Sequence, residues 1–184
     1  MKEAEEARLI RESLEGRRGA FGALIERYQA SLFNGVFRLV HDYDDAQDIT
    51  QTVFLKSFEN LRQFDFHHKF YSWIYRIAIN ESLNFLKRNN RLEPIDEHRQ
   101  QTDRTPEDEL VGNELDRTVQ QSLMTLPADY RTVIVLKHFA DCSYRDIASI
   151  LEIPEKTVKS RLFTARRMLR VRLARTTLIK TQDP

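Results

Sequence analysis

Three groups of side chains in this sequence are suited to chemistry with a polyanion. Lys156, Lys159, Ser160, Phe163, Thr164 and Arg167 recur at three- and four-residue steps, so they share one face of a helix. Lys, Ser and Thr donate to phosphates and base edges in a major groove, and an exposed Phe can pack on a thymine methyl. Arg161, Arg166 and Arg170 flank that face, where they can hold a phosphate backbone. A second stripe, Arg76, Asn80, Asn84, Lys87 and Arg88, carries the side chains that read bases by paired hydrogen bonds. In the third group, Phe64, Phe66, His67, His68, Phe70, Tyr71, Trp73 and Tyr75 crowd together around Lys69 and Arg76. Aromatics beside basic residues suit stacking on unpaired bases. Each group has a plainer alternative: a solvated amphipathic face for the two stripes, and core packing for the aromatics. Trp73, Ile74 and Ile77 are expected in the core.

Catalysis has no such support. The sequence shows no paired carboxylates with metal ligands, no Gly-rich phosphate loop and no Ser/His/Asp arrangement. Cys142 is the single cysteine, and the adjacent His67 and His68 point apart, so neither a disulfide framework nor a metal site is expected. No catalytic residue, metal or cofactor is assigned.

Charge at first argues against a nucleic-acid partner, because 29 Lys+Arg and 28 Asp+Glu leave the 184-residue chain at +1. The distribution reverses that inference. Residues 1–91 are nearly balanced, residues 92–118 hold 3 bases and 9 acids, and residues 119–184 hold 12 bases and 6 acids. Between 154 and 180 the only acid is Glu155, against 9 bases. A neutral block, an acidic connector and a basic block suggest polyanion binding at one end.

The elements that must position these groups are helices. Five Gly and five Pro are too few for a turn-rich β fold. Phe21, Leu24, Ile25, Tyr28, Leu32, Val36, Leu39 and Val40 mark one face of a long helix. Asp44 is the expected cap of a second, with Ala46, Ile49, Val53, Phe54 and Phe58 as its apolar positions. Residues 62–70 have no clean period and are expected as a loop before a helix over 71–87. Residues 88–105 are expected as a mobile linker. Thr105-Pro106 signals a helix start, and the helix is expected to run to about 124. Leu126-Pro127 opens another. Ser143, with Asp146 three residues on, caps a short helix that stops at Glu152-Ile153-Pro154. A last helix covers 155–174, its inner face marked by Val158, Leu162, Ala165 and Leu169. A short helix, a three-residue turn and a longer basic helix match the helix-turn-helix layout. No apolar run is long enough to span a membrane and the first residues lack a signal region, so a cytoplasmic location is expected.

Four segments in this order resemble the extracytoplasmic-function class of bacterial sigma factors, within the sigma-70 family. Residues 44–54 (DDAQDITQTVF) resemble its polymerase-binding helix, and residues 70–80 (FYSWIYRIAIN) its melting and −10 recognition segment. Leu126-Pro127-Ala128-Asp129-Tyr130-Arg131 and Ser143 to Ala148 resemble the start of its second domain. Thr157-Val158-Lys159-Ser160-Arg161-Leu162 resembles its −35 recognition helix. The resemblance implies an all-α chain of two small helical domains: a σ2-like bundle over 1–91, an acidic flexible linker over 92–105, and a σ4-like helix-turn-helix domain over 106–184. It implies a non-enzymatic factor that binds core RNA polymerase through the β′ clamp and β subunits, recognises the −35 and −10 promoter elements and promotes melting. Asp45, Asp48, Gln51 and Phe54 would contact polymerase. Asp65, Phe66, His67, His68, Lys69, Phe70 and Tyr71 would capture an unpaired −10 base, with Trp73, Arg76, Asn80, Asn84 and Arg88 along the same element. Lys156, Thr157, Lys159, Ser160, Arg161, Phe163, Thr164 and Arg167 would face the −35 groove. Thr164 stands where many members carry Arg, which implies a different −35 preference. Residues 92–109 would thread near the active-site channel. The implied partners are core polymerase, promoter DNA and an inhibitory anti-sigma protein, for a chain that is itself a monomer with no membrane insertion. The alternatives are a conventional regulator whose first block senses a ligand, and a partner-binding module that titrates a regulator.

Overall fold

The structure, a computed structural model, describes residues 2–17, 19–92 and 114–180. Every regular element among the described residues is helical: α1 (Lys2–Leu14), α2 (Ala20–Val40), α3 (Tyr43–Glu59), a 3-10 turn (Leu61–Gln63), α4 (Phe70–Leu92), α5 (Glu114–Met124), α6 (Ala128–His138), α7 (Tyr144–Leu151) and α8 (Glu155–Lys180). The expected linker from residue 93 on, the Thr105-Pro106 helix start and the acids at 107–109 lie outside the described residues.

Local chemistry sets most of the boundaries. Gly16 and Gly19 have φ of 77° and 90°, left-handed values that cost a glycine little, and they turn the chain from α1 into α2. Helix α1 was not among the expected elements. Helix α2 ends on His41, also left-handed, whose N–H returns to Phe37 O at 2.8 Å. The cap of α3 is Asp42 rather than the expected Asp44. Asp42 is extended, so its carboxylate can fold back to accept from Asp45 N at 2.9 Å, while Asp44 and Asp45 fall in the dipole-favoured first turn. Helix α4 runs five residues past its expected end at Lys87, and α8 six past 174.

Helix α2 is the centre of the first half. Its Leu24, Leu32, Val36 and Leu39 are buried together with Val53 of α3 and Ile74 and Ala78 of α4. Gly35 marks the closest approach, since a Cβ there would meet the Tyr75 ring at 3.4 Å. The Tyr75 hydroxyl reaches past it to donate to Ser31 O at 2.9 Å. In the second half, Val133 and Leu136 of α6 and Ile147 of α7 meet Val158, Leu162 and Ala165 of α8, with Leu169 packed at the edge. This is the inner face expected for α8. Each fully buried Leu or Ile contributes about 1.5–3 kcal/mol.

The two halves share a seam where α2 meets α6 and α4 meets α7. Two buried arginines cross it in opposite directions. Arg38 of α2 donates to Gln120 Oε1 (3.1 Å) and Asp116 Oδ1 (3.3 Å) of α5, with its guanidinium 4.6 Å from the Phe139 ring centre. Arg131 of α6 donates to Leu39 O near the end of α2 and to Leu126 O.

Helix α7 has only eight residues, too short to hold itself, and a complete capping box starts it. Ser143 Oγ accepts from Asp146 N at 3.1 Å, and Asp146 Oδ2 accepts from Ser143 N at 3.1 Å. Burial opposes ionisation of Asp146, but hydrogen bonds from Ser143 and Lys69 prevail and hold its pKa below the usual value. Replacing Ser143 by Ala should cost about 1 kcal/mol and lower the melting temperature by about 2–4 °C, read by circular dichroism.

Candidate nucleic-acid interface

The first candidate surface is the outer side of α8. Helical geometry puts it opposite Val158, Leu162 and Ala165, and there Lys156, Lys159, Ser160 and Arg167 are exposed. Thr157, Arg161 and Thr164 are half-buried along the margin. Phe163 stands 70% exposed with no aromatic partner among the described contacts, an arrangement that water disfavours and a flat apolar ligand group would satisfy. Lys159 Nζ lies 5.9 Å from the Tyr144 ring centre, which draws its stem toward α7. Arg161 pairs with Asp129 of α6 at 3.2 Å, so in this form it braces the domain. Glu152 is left-handed at φ 54°, and Pro154 opens α8, together making the tight turn that orients the helix.

The second surface is the loop after the 3-10 turn together with α4. Asp65 organises the loop: its Oδ1 accepts from His67 N at 2.9 Å, and its carbonyl accepts from His68 N at 3.0 Å. His67, His68 and Lys69 are exposed around it. The aromatic cluster divides. Phe64 and Phe70 are buried, Phe70 at 1% exposure; Phe64 makes edge contacts with Phe70 and Trp73, and Phe70 packs tilted on Trp73. Burial removes Phe70 from any open surface in this form, and its place is to seat the loop. Tyr75 is buried as well, against Gly35. Tyr71 is half-buried and donates to Ala140 O across the seam, and burial raises its pKa. Phe66 is the exposed member. It packs edge-on to Phe64, with the Arg11 guanidinium 5.2 Å from its centre. Arg11 escapes sequence reasoning because it sits 55 residues away, on the unexpected α1.

Trp73, expected in the core, is half-buried and forms one wall of a hollow of about 330 Å³. The other walls are Ile77 and the polar groups of Lys56, Asn60, Gln63, Asn80 and Glu81. A flat aromatic wall beside amide donors and acceptors is what a planar base requires. Lys56 and Glu81 pair across its rim at 2.7 Å. Sequence periodicity finds Asn80 and Trp73, but Asn60 and Gln63 lie outside any periodic stripe and join the site only through the fold. Asn84 and Arg88 continue as an exposed line beyond the hollow. Arg76 turns away from it, toward α7.

The third surface is apolar. Helices α2 and α3 enclose an open groove of about 830 Å³, lined by Phe21, Ile25, Phe33, Phe54, Leu55 and Phe58 among others. Leu55 is 64% exposed and Phe58 57%. Phe58 was expected on the buried face of α3 but points outward, against Phe21 at 5.0 Å between ring centres. Gln51 and the buried Phe54 lie in the groove, while Asp48 is exposed and Asp45 half-buried on the same helix. The one sequence signal was that α3 carries apolar residues at adjacent positions, Val53 to Leu55, more than a single face can use.

Residues 24–92 match the family Sigma-70 region 2, and residues 116–169 match Sigma-70, region 4. The chain is 33% identical over 178 residues to the RNA polymerase sigma-H factor of Pseudomonas aeruginosa, covering 90% of this chain and 92% of that one. It is 32% identical over 176 residues to the ECF RNA polymerase sigma factor SigW of Bacillus subtilis, covering 89% and 94%. In fold it resembles CnrH in complex with the cytosolic domain of CnrY, with a TM-score of 0.70 at 23% identity over 97% of this chain and 99% of that one. It also resembles the sigma factor RpoE in complex with the anti-sigma factor NepR from Bartonella quintana, with a TM-score of 0.67 at 23% identity over 85% and 98%.

Trp73 is the only tryptophan, so its emission reports on the hollow. Single-stranded DNA should quench it in the full chain, and Asn80→Ala should weaken that binding about fivefold, the loss of one net hydrogen bond.

Proposed function

The chain belongs to the extracytoplasmic-function sigma factors of the sigma-70 family, and from that premise we propose how its surfaces divide the work. It is a non-enzymatic, promoter-recognising RNA polymerase sigma factor. In our assignment the groove between α2 and α3, with Asp45, Asp48, Gln51 and Phe54, is the docking surface for core polymerase at the β′ clamp. Its exposed Leu55 and Phe58 supply apolar area that a partner helix would cover. The loop from Asp65 to Tyr71 and the hollow at Trp73 and Asn80 take unpaired −10 bases, with Arg76, Asn84 and Arg88 extending the track. The outer face of α8 reads the −35 element.

The assignment rests most firmly on α8, where Phe163 stands out between Lys159 and Arg167 on a capped helix-turn-helix. Melting in this scheme needs no covalent step. The first half binds unpaired bases better than paired ones, and that difference shifts the duplex equilibrium. Unstacking costs a few kcal/mol, and stacking on Trp73 or Phe66 returns about 1–3 kcal/mol per base. Near-zero net charge fits this role: the chain alone binds DNA weakly and gains specificity when polymerase holds both halves on the promoter. An inhibitory protein covering the α2–α3 groove would silence it, in keeping with the similar fold of RpoE seen with an anti-sigma factor. Domain limits of 1–91 and 106–184 and a cytoplasmic location belong to the same proposal.

In vitro transcription with purified core polymerase tests the scheme, and failure to direct a discrete start would refute it. Leu55→Asp should weaken core binding at least about tenfold with helicity intact, measured by fluorescence anisotropy. Lys159→Ala and Phe163→Ala should each weaken −35 duplex binding about fivefold or more and leave core binding unchanged.

A further inference from the structure

The −10 track and the helix-turn-helix do not stand apart in this structure. Three residues assigned to the −10 strand are engaged by α7 and the turn before it. Lys69 Nζ pairs with Asp146 Oδ1 at 3.3 Å, and the Tyr71 hydroxyl donates to Ala140 O. Arg76 donates to Ser149 O at 2.6 Å and pairs with Glu152 Oε1 at 2.8 Å. Ser149 and Glu152 lie at the C-terminal end of α7, where unpaired carbonyls carry partial negative charge. A carbonyl and a carboxylate there give the guanidinium fork the kind of acceptors it would find on a base edge and a phosphate. Arg76 cannot hold both sets at once.

The α8 face is left open by the same arrangement, with Phe163, Lys159 and Ser160 exposed. The −35 and −10 elements, about 25 base pairs apart, are separated by roughly 85 Å of B-form DNA at about 3.4 Å per step. A chain in which α4 touches α7 cannot reach both. The seam must open for initiation, and its main struts, Arg38 and Arg131, are not among the residues assigned to DNA.

We propose that the C-terminal end of α7, Ser149 O with Glu152, is an internal stand-in for the −10 strand that holds Arg76 until core polymerase separates the halves. The closed chain then exposes its duplex-reading face and the Trp73 hollow but withholds Arg76 from the single strand, which weakens single-strand binding. The inference rests on the sigma-factor assignment of Arg76 and adds a self-inhibiting contact to it.

Two full-length variants test it. Glu152→Gln keeps the shape and removes the pairing charge. Arg38→Ala breaks a strut that is not assigned to DNA and also removes a positive charge, so simple electrostatics predicts weaker DNA binding. Fluorescein-labelled random single-stranded 12-mers and random 20-base-pair duplexes serve as probes, with small-angle X-ray scattering on the same samples and circular dichroism to verify folding. Arg38→Ala should show a larger radius of gyration, and both variants should show about threefold or greater gain in single-strand affinity with no gain for the duplex. Unchanged dimensions and single-strand affinity in the folded variants would overturn the stand-in, as would an equal gain for the duplex. Failure of the wild-type chain to direct core polymerase would overturn the sigma-factor assignment instead, and the scattering result distinguishes the two.

Discussion

A buried guanidinium must find acceptors, and the arrangement of this molecule follows from where two of them find theirs. Arg38 and Arg131 lie at the boundary between the halves, and each takes partners from the other side. Arg131 reaches Leu39 O near the end of α2, where helix carbonyls lack intrahelical donors. Burial lowers the Arg131 pKa, yet the side chain stays cationic at any physiological pH, so these carbonyls are a requirement of the fold. Arg38 adds Phe139 beneath its plane. Because truncating one partner strands the other, the seam has a defined register. That register brings α4 against α7.

Aromatic residues serve two opposed purposes around the seam. Phe64 and Phe70 are consumed by packing and give the Asp65 loop a rigid base. Phe66, Trp73 and Phe163 keep open faces, each next to polar or basic groups. The buried set fixes where the open set stands, which is what recognition of a flexible strand needs. Cys142, the lone cysteine, belongs to the packing side. It is buried beside the Tyr71 hydroxyl, and burial pushes its thiol up to about 11, well away from a reactive thiolate.

Much of this was legible from residue order. The helices from Ala20 to Val40 and from Tyr144 to Leu151, and the inner face of α8, follow from apolar spacing and from Ser143 with Asp146, because those signals are local. The cap of α3 shifted to Asp42 because capping depends on backbone direction, and residue type alone allowed either aspartate. Helix α1 went unseen. Its Leu9 and Ile10 are buried and only make sense once a neighbouring surface exists to receive them. Phe58 was assigned inward because periodicity gives a face and not what that face meets.

Sequence by itself determined the all-helical class, the polyanion-facing chemistry of α8 and the family, since each depends on residue types at short spacing. Tertiary structure decided which aromatics are walls and which are surfaces, gathered Asn60, Gln63, Trp73 and Asn80 into one hollow, and turned Arg76 toward Glu152. Those outcomes join residues up to 76 positions apart. Such contacts depend on how whole helices settle against one another, and no local pattern encodes them.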